Sequence, residues 1–535
     1  MSLSLESFAD PTLDEPFVAH LIDSHDHHQH RYVRMWDYYR NLMIPAPPAV
    51  GAGPSGRSYV QAQEMGLPPR ITGRARPGLD GPTTDIRRKE VVIENDIAWR
   101  IQAAVDFLFG KPLTVRSLAS SPAQAALVEA FVQALLERAG GECLLQEMAL
   151  LGSVYGFVDI ALRIPADAPS APSASDPSGL LGASAADSPA GRPGTSDSHG
   201  APGAASTGQD PASAGSKPQL LRVAHAARMI TLETIEAPRV LPILDESDYR
   251  HVRYWIQRFH KHPARMAGVQ RPWYALARGR SAQPACVEVL EIIGAGWWQR
   301  YEDRQLVDEG PNPLGRLPVV HVQNLALPNS YEGLSDVEPL VPLQDELNTR
   351  LSDRASRVTY QSFKMYLGKG IDDFLDRPIG PGQMWSTHNM DACIEEFGSD
   401  SGSPSEDAHI QQVRAALDKV SAVPPLAAGL IAGNLGNLTS ATALKVVLSG
   451  LLARTAKKRL TYGAGLARIV ELALDWADRA GVLRTSADDR RVRITWPDPL
   501  PIDETQQLLN AQIKASLGVS VDRVLGELGY APAGA

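Results

Sequence analysis

Four histidines, His25, His27, His28 and His30, cluster beside Asp23 and Asp26. Imidazoles and carboxylates at that density have the chemistry of a transition-metal site. His27 and His30 form an i, i+3 pair, but there is no H-E-x-x-H context and no third ligand at a fixed spacing. A solvated helix face is the plainer reading, and a metal-dependent hydrolase using this cluster is the enzymatic alternative. Other catalytic patterns are missing. Gly110-Lys111-Pro112 lacks the hydroxyl residue of a P-loop and ends a helix where a P-loop would start one. No G-x-S-x-G elbow occurs. The three cysteines, Cys143, Cys286 and Cys393, are far apart and none sits in a C-x-x-C pair, which argues against a zinc ribbon or a disulfide scaffold and for a reducing compartment.

Two stretches offer binding chemistry without catalysis. Residues 426–440 (LAAGLIAGNLGNLTS) are rich in glycine and asparagine. Glycine permits close approach of another surface. Asn434, Asn437, Thr439 and Ser440 supply neutral hydrogen-bonding groups, which suit a surface that touches a phosphate backbone and lets it go, where bidentate arginines would grip. A plain flexible connector is the competing reading. Lys445, Arg454, Lys457, Lys458 and Arg459 follow on the next helix. They face solvent by default, with a neighbouring subunit or nucleic acid as the functional alternatives.

The elements that must position these residues are a mixture of helices and strands. At roughly 100–200 residues per domain, 535 residues make three or four domains or one elongated subunit. With 52 basic and 61 acidic residues the net charge is −9, which excludes a bulk polycation that holds nucleic acid by counterion release. The N-terminus lacks a basic and an apolar signal region, and the most apolar tract, Leu426 to Ala453, is broken by Asn434, Asn437, four glycines and Lys445. No membrane association is expected, and the chain reads as soluble.

Apolar spacing predicts a helix over 16–42, another over 90–110 ended by Gly110 and Pro112, and a helix or pair over 122–150. Residues 45–82 read as loop, and 152–165 as a strand. Residues 166–218, almost wholly Ala, Ser, Gly, Pro and Asp, read as a disordered insert in an antiparallel sheet that resumes at Leu220 and runs to 324. A long amphipathic helix is predicted over 335–367, with Ser335 and Glu338 forming a capping box and Pro339 and Pro342 making its first turns irregular. Further helices are predicted over 405–422 and 440–480, the latter about 60 Å long with a kink at Gly463 and Gly465. A strand at 490–501 and one or two short helices over 503–528 complete the chain.

Several passages, in this order, resemble the portal proteins of tailed bacteriophages. They are DYYRN (37–41), NDIAWRIQAAVDFLFGKPLTV (95–115), LPVVHVQN with GLSDVEPLVPLQDELNTRLSD (333–353), TSATALKVVLSGLLARTAKKR (439–459) and the closing passage from ITWPDPLP to LGELGY (494–530). Ala441 stands where the family often has glycine, and the insert 166–218 has no counterpart. The resemblance implies an elongated α+β subunit with a mixed wing, a helical stem, a small α/β clip and a short helical crown, assembled in a ring. On that plan, 1–334 is the N-terminal part and wing, 335–362 the first stem helix, 363–404 the clip and 405–423 the second stem helix. Residues 424–440 are then the tunnel loop, 441–502 the long helix and a wing strand, and 503–535 the crown.

The resemblance also implies a function. It is a non-enzymatic, cofactor-free channel at one capsid vertex, through which double-stranded DNA is packaged and ejected. The implied partners are further copies of the chain (a dodecamer), DNA bound transiently and without sequence preference, the large terminase, the head-completion adaptor, and the major capsid and scaffolding proteins. The implied location is the virion, after assembly in the host cytoplasm. Asn434, Asn437, Thr439 and Ser440 become DNA-facing candidates. Lys445, Arg454, Lys457 and Lys458 become inter-subunit or lumen candidates.

Overall fold

A computed structural model describes residues 13, 15–41, 92–164, 216–261, 287–362, 365–369, 390–397, 404–429, 441–500, 504–521 and 524–525. The fold is mixed α+β. Helix α1 (Glu15–Arg40) covers the predicted 16–42. Its Val18 packs, with Leu13, against a sheet, while Tyr32, Met35 and Tyr38 enter the main core. Helix α2 (Asp96–Phe109) starts later than its apolar period suggests, because the Asn95 side chain accepts the Ala98 amide at 3.0 Å and caps it there. Strand β1 (Thr114–Ser117) then leads to α3 (Pro122–Arg138) and α4 (Glu142–Tyr155), a pair separated by Gly140 and Gly141.

Strand β2 is only Phe157–Arg163; the start of the predicted strand, 152–155, is instead the last turn of α4. Gly156 separates the two with φ of 98°, a value only glycine adopts without strain, and an added Cβ would lie 2.5 Å from the Gly333 carbonyl oxygen. The insert read as disordered falls outside the described residues except at its end. There the strand predicted from Leu220 is corrected: α5 (Ser216–Ala227) comes first, its Val223, Ala226 and Ala227 buried at 3–4 spacing.

The antiparallel block is two sheets, where one was expected. The three-stranded sheet has the order β3 (Thr231–Glu236), β2, β9 (Val319–Gln323). The other is a five-stranded meander of β4 (Val240–Leu244), β5 (Val252–Lys261), β6 (Val287–Ile293), β7 (Trp297–Glu302) and β8 (Gln305–Pro311). A 3-10 turn at Ala237–Arg239 passes the chain from one sheet to the other.

The prolines after Ser335 do make the start of the predicted helix irregular. A 3-10 turn, Glu338–Leu340, precedes α6 (Val341–Ser362). The helix predicted to 367 is corrected at its end, where 365–367 belong to strand β10 (Met365–Lys369), which pairs antiparallel with β11 (Cys393–Phe397) between α6 and α7 (Pro404–Ser421). Helix α8 (Ala441–Val447) and helix α9 (Ser449–Arg479) occupy the predicted 440–480, but the break falls at Leu448. The helix continues through Gly463 and Gly465, which serve packing. A Cβ at Gly465 would lie 2.4 Å from Val322 Cγ2, so the glycine lets α9 press against β9. Strand β12 (Val492–Thr495) pairs with β1, and α10 (Glu504–Ser516) follows. Among the described residues no helix is long and apolar enough to cross a membrane.

Candidate functional site

The lead into α6 and the end of α7 converge on α9. Lys458 lies on the buried stripe of α9 formed by Leu451, Thr455, Tyr462 and Leu466, and its side chain is 2% exposed. Its Nζ donates to Asp336 Oδ2 at 2.5 Å and to Ser153 Oγ at 2.8 Å. Arg454, one helical turn earlier, donates to Asp336 Oδ1 from Nε at 3.0 Å and from Nη2 at 2.6 Å. Its Nη1 reaches the Val420 and Ser421 carbonyls, at the end of α7, at 3.1 and 3.2 Å. Asn324, at the end of β9, donates to Asp336 Oδ2 and accepts from the Tyr462 hydroxyl. Room for that hydroxyl comes from Gly152, where a Cβ would lie 2.1 Å from it.

Asp336 and its partner Arg454 thus tie the lead into α6, the end of α7, the β9 sheet and α9 together. Burial alone would raise the Asp336 pKa. The charges of Lys458 and Arg454 and the donated hydrogen bonds outweigh it and hold the carboxyl at about 2. Ser335 caps as predicted, accepting the Val337 and Glu338 amides at 3.0 and 3.2 Å. The reciprocal half of the box is replaced: Glu338 takes both Nε and Nη2 of Arg31, which docks α1 on the same junction.

Helices α6 and α7 are joined to each other and to the start of α2 by polar contacts. Gln344, Asn348 and Ser352, one turn apart on α6, are buried and bond the backbone of residues 92–96. Between α6 and α7, Glu346 meets His409 at 3.0 Å, Arg354 meets Asp407 at 3.0 Å, and Arg357 pairs with Glu406. Arg100 of α2, nearly buried, reaches Asp418 of α7 at 2.5 Å.

The residues singled out from sequence fall in different places. Asn434, Asn437, Thr439 and Ser440 lie outside the described residues, between a 3-10 turn at Pro425–Ala428 and α8. Lys445 and Lys457 are exposed. Lys458 is a correction to the solvated-face reading: it is enclosed within its own chain, as Arg454 largely is, and spends its charge on Asp336. Arg459 is half-buried, its Nη2 donating to the Pro497 carbonyl at 2.8 Å. The histidine cluster disperses. His25 Nε2 bonds the Pro238 carbonyl, Asp26 pairs with Arg258, and His27, His28 and His30 are exposed. Among the described residues no three metal-ligating side chains converge.

A sequence model of the family described as Phage portal protein, SPP1 Gp6-like, matches residues 244–523. The chain belongs to this family. The matched stretch contains the five-stranded sheet from the end of β4 onward, α6, α7 and α9, and Asn324, Asp336, Arg454 and Lys458 of the charged junction. No curated protein matches. Among solved structures, the chain is similar to one in the neck of an empty GTA particle computed with C6 symmetry, at 12% identity and a TM-score of 0.43, covering 81% of this portal-family chain and 89% of that one. It is also similar to one from the virion of a native gene transfer agent (GTA) particle, at 13% identity and a TM-score of 0.40 with the same coverage.

Proposed function

We propose that copies of the chain assemble side by side into a ring at one capsid vertex, and that double-stranded DNA passes through the ring during packaging and ejection. The observation that carries this reading is the family match, which runs unbroken across the two stem helices and the long helix. The wing is 1–334 with 441–502, the stem 335–362 and 405–423, the clip 363–404, and the crown 503–535. The clip is the platform for the large terminase and later the head-completion adaptor, and the capsid and scaffolding proteins surround the ring. ATP hydrolysis belongs to a separate motor, in keeping with the missing P-loop pattern.

The physics of the chain supports a conduit. Twelve copies at −9 each carry about −108, a field that repels a polyanion from the walls. Residues 424–440 form the tunnel loop, where Asn434, Asn437, Thr439 and Ser440 touch phosphates through neutral hydrogen bonds. Replacing Asn434 and Asn437 by Arg puts fixed cations against the moving backbone. In a packaging assay with the double variant, rings should form normally while DNA translocation slows or stalls. An unchanged translocation rate would refute the role given to the loop.

A further inference from the structure

Among the described residues, β9 and β8 each end a sheet with no strand partner on one side, and their chemistries complement each other. Strand β9 pairs only with β2, at the edge of the three-stranded sheet. The Leu162 amide bonds the Pro318 carbonyl and the Asn324 amide bonds the Gly156 carbonyl, so the backbone groups of the intervening Val319, His321 and Gln323 point away from β2. They face an open cleft of about 1080 Å³ between β9, the start of β5 and α9. The strand is held still: His321 Nδ1 meets Asp159 Oδ1 at 2.7 Å and Nε2 meets the Tyr331 carbonyl at 2.8 Å. The cleft is lined by Arg250, Arg253, Arg316 and Arg468 and by no Asp or Glu, in a chain of net charge −9. Arg316 pairs with Asp475 at 3.0 Å and with Glu471 at 3.4 Å, Arg468 pairs with Glu471 at 2.7 Å, and Arg250 and Arg253 are exposed.

Strand β8 is the opposite kind of edge. It pairs only with β7, and all of its residues but Gly310 are exposed. Leu306 is 41% and Val307 58% exposed, and Asp308 and Glu309 follow them. An exposed apolar edge strand is a template for pairing with another chain. We infer that β8 of one copy adds to the free edge of β9 in the next copy, with Asp308 and Glu309 set among the arginines of the cleft. This is strand addition, in which backbone hydrogen bonds give affinity and side chains give selectivity. Because the two surfaces differ, the contact is head-to-tail and repeats around a closed ring. The inference rests on the ring reading and assigns that ring a specific contact in the wing.

The test is charge reversal with rescue. Arg250→Glu with Arg468→Glu on one face, and Asp308→Lys with Glu309→Lys on the other, should each lower the ring fraction about tenfold or more at fixed protein concentration, on the scale of opposed charges at an interface. The four substitutions together should restore it. Ring fraction is read by mass photometry, with far-UV circular dichroism showing that each variant folds. Wild-type rings with undiminished assembly of both charge-reversed variants would overturn this contact and leave the ring reading standing, as would loss without rescue. Wild-type protein that stays monomeric at all concentrations would overturn both.

Discussion

Lys458 shows how much a single side chain's surroundings decide. Lys457 and Lys458 are chemically identical neighbours, yet one is in water and the other is sealed against Asp336. Removing Lys458 leaves Asp336 with Arg454 and Asn324 but takes away its shortest charged hydrogen bond. Lys458→Met should therefore lower unfolding stability by about 1–3 kcal/mol, while Lys457→Met should stay within ~0.5 kcal/mol of wild type; urea unfolding midpoints measure both. Asp336 adds a pH dependence. Its carboxyl stays ionised to about pH 2 in the fold, whereas an unfolded Asp protonates near ~3.9. The unfolded state thus takes up the proton first as pH falls. The stabilisation from Asp336, roughly 2–3 kcal/mol, is complete above about pH 5 and is lost on descending from ~4 to ~2. The stability gap between wild type and Asp336→Asn should close over that window. The position of Lys458 was legible in part: Leu451, Thr455, Lys458 and Tyr462 recur at 4, 3 and 4, so the lysine sits on an apolar stripe. Its partner was not, because Asp336 lies 122 residues away and nothing local marks the pairing.

At the scale of elements, long amphipathic helices were the most legible, and α1, α6 and α7 follow their apolar periods closely. What misled was punctuation. Gly463 and Gly465 read as a kink because glycine weakens a helix, but the helix runs through both, and at Gly465 the cause is across the interface, in Val322. The two sites make opposite predictions. Gly465→Ala drives a Cβ into the stiff Val322 side chain and should cost about 1–3 kcal/mol. A Cβ at Gly463 meets Trp496 at an ordinary 3.5 Å, so Gly463→Ala should stabilise by about 0.5–1 kcal/mol through helix propensity. Thermal unfolding of the pair checks both signs. The polar face of α6 also escaped an apolar-period reading. Gln344, Asn348 and Ser352 are buried, since they satisfy the backbone of 92–96, a segment that has no sheet to join.

For the whole molecule, the family was legible from motif order, and the junction explains why those motifs keep company. GLSDVEP supplies the Ser335 cap and Asp336, the KK of TAKKR supplies Lys458, and VQN supplies Asn324. They meet where the end of β9, the lead into α6 and α9 join through buried ionic and hydrogen bonds. The assembly itself was not legible from one chain, because the contacts that close a ring lie between copies. Imaging the purified oligomer by electron microscopy is the most direct measurement. The account predicts end-on views of a closed ring with a central opening that admits a DNA duplex. Compact monomers at every concentration, or an oligomer whose centre is filled or too narrow for a duplex, would contradict it.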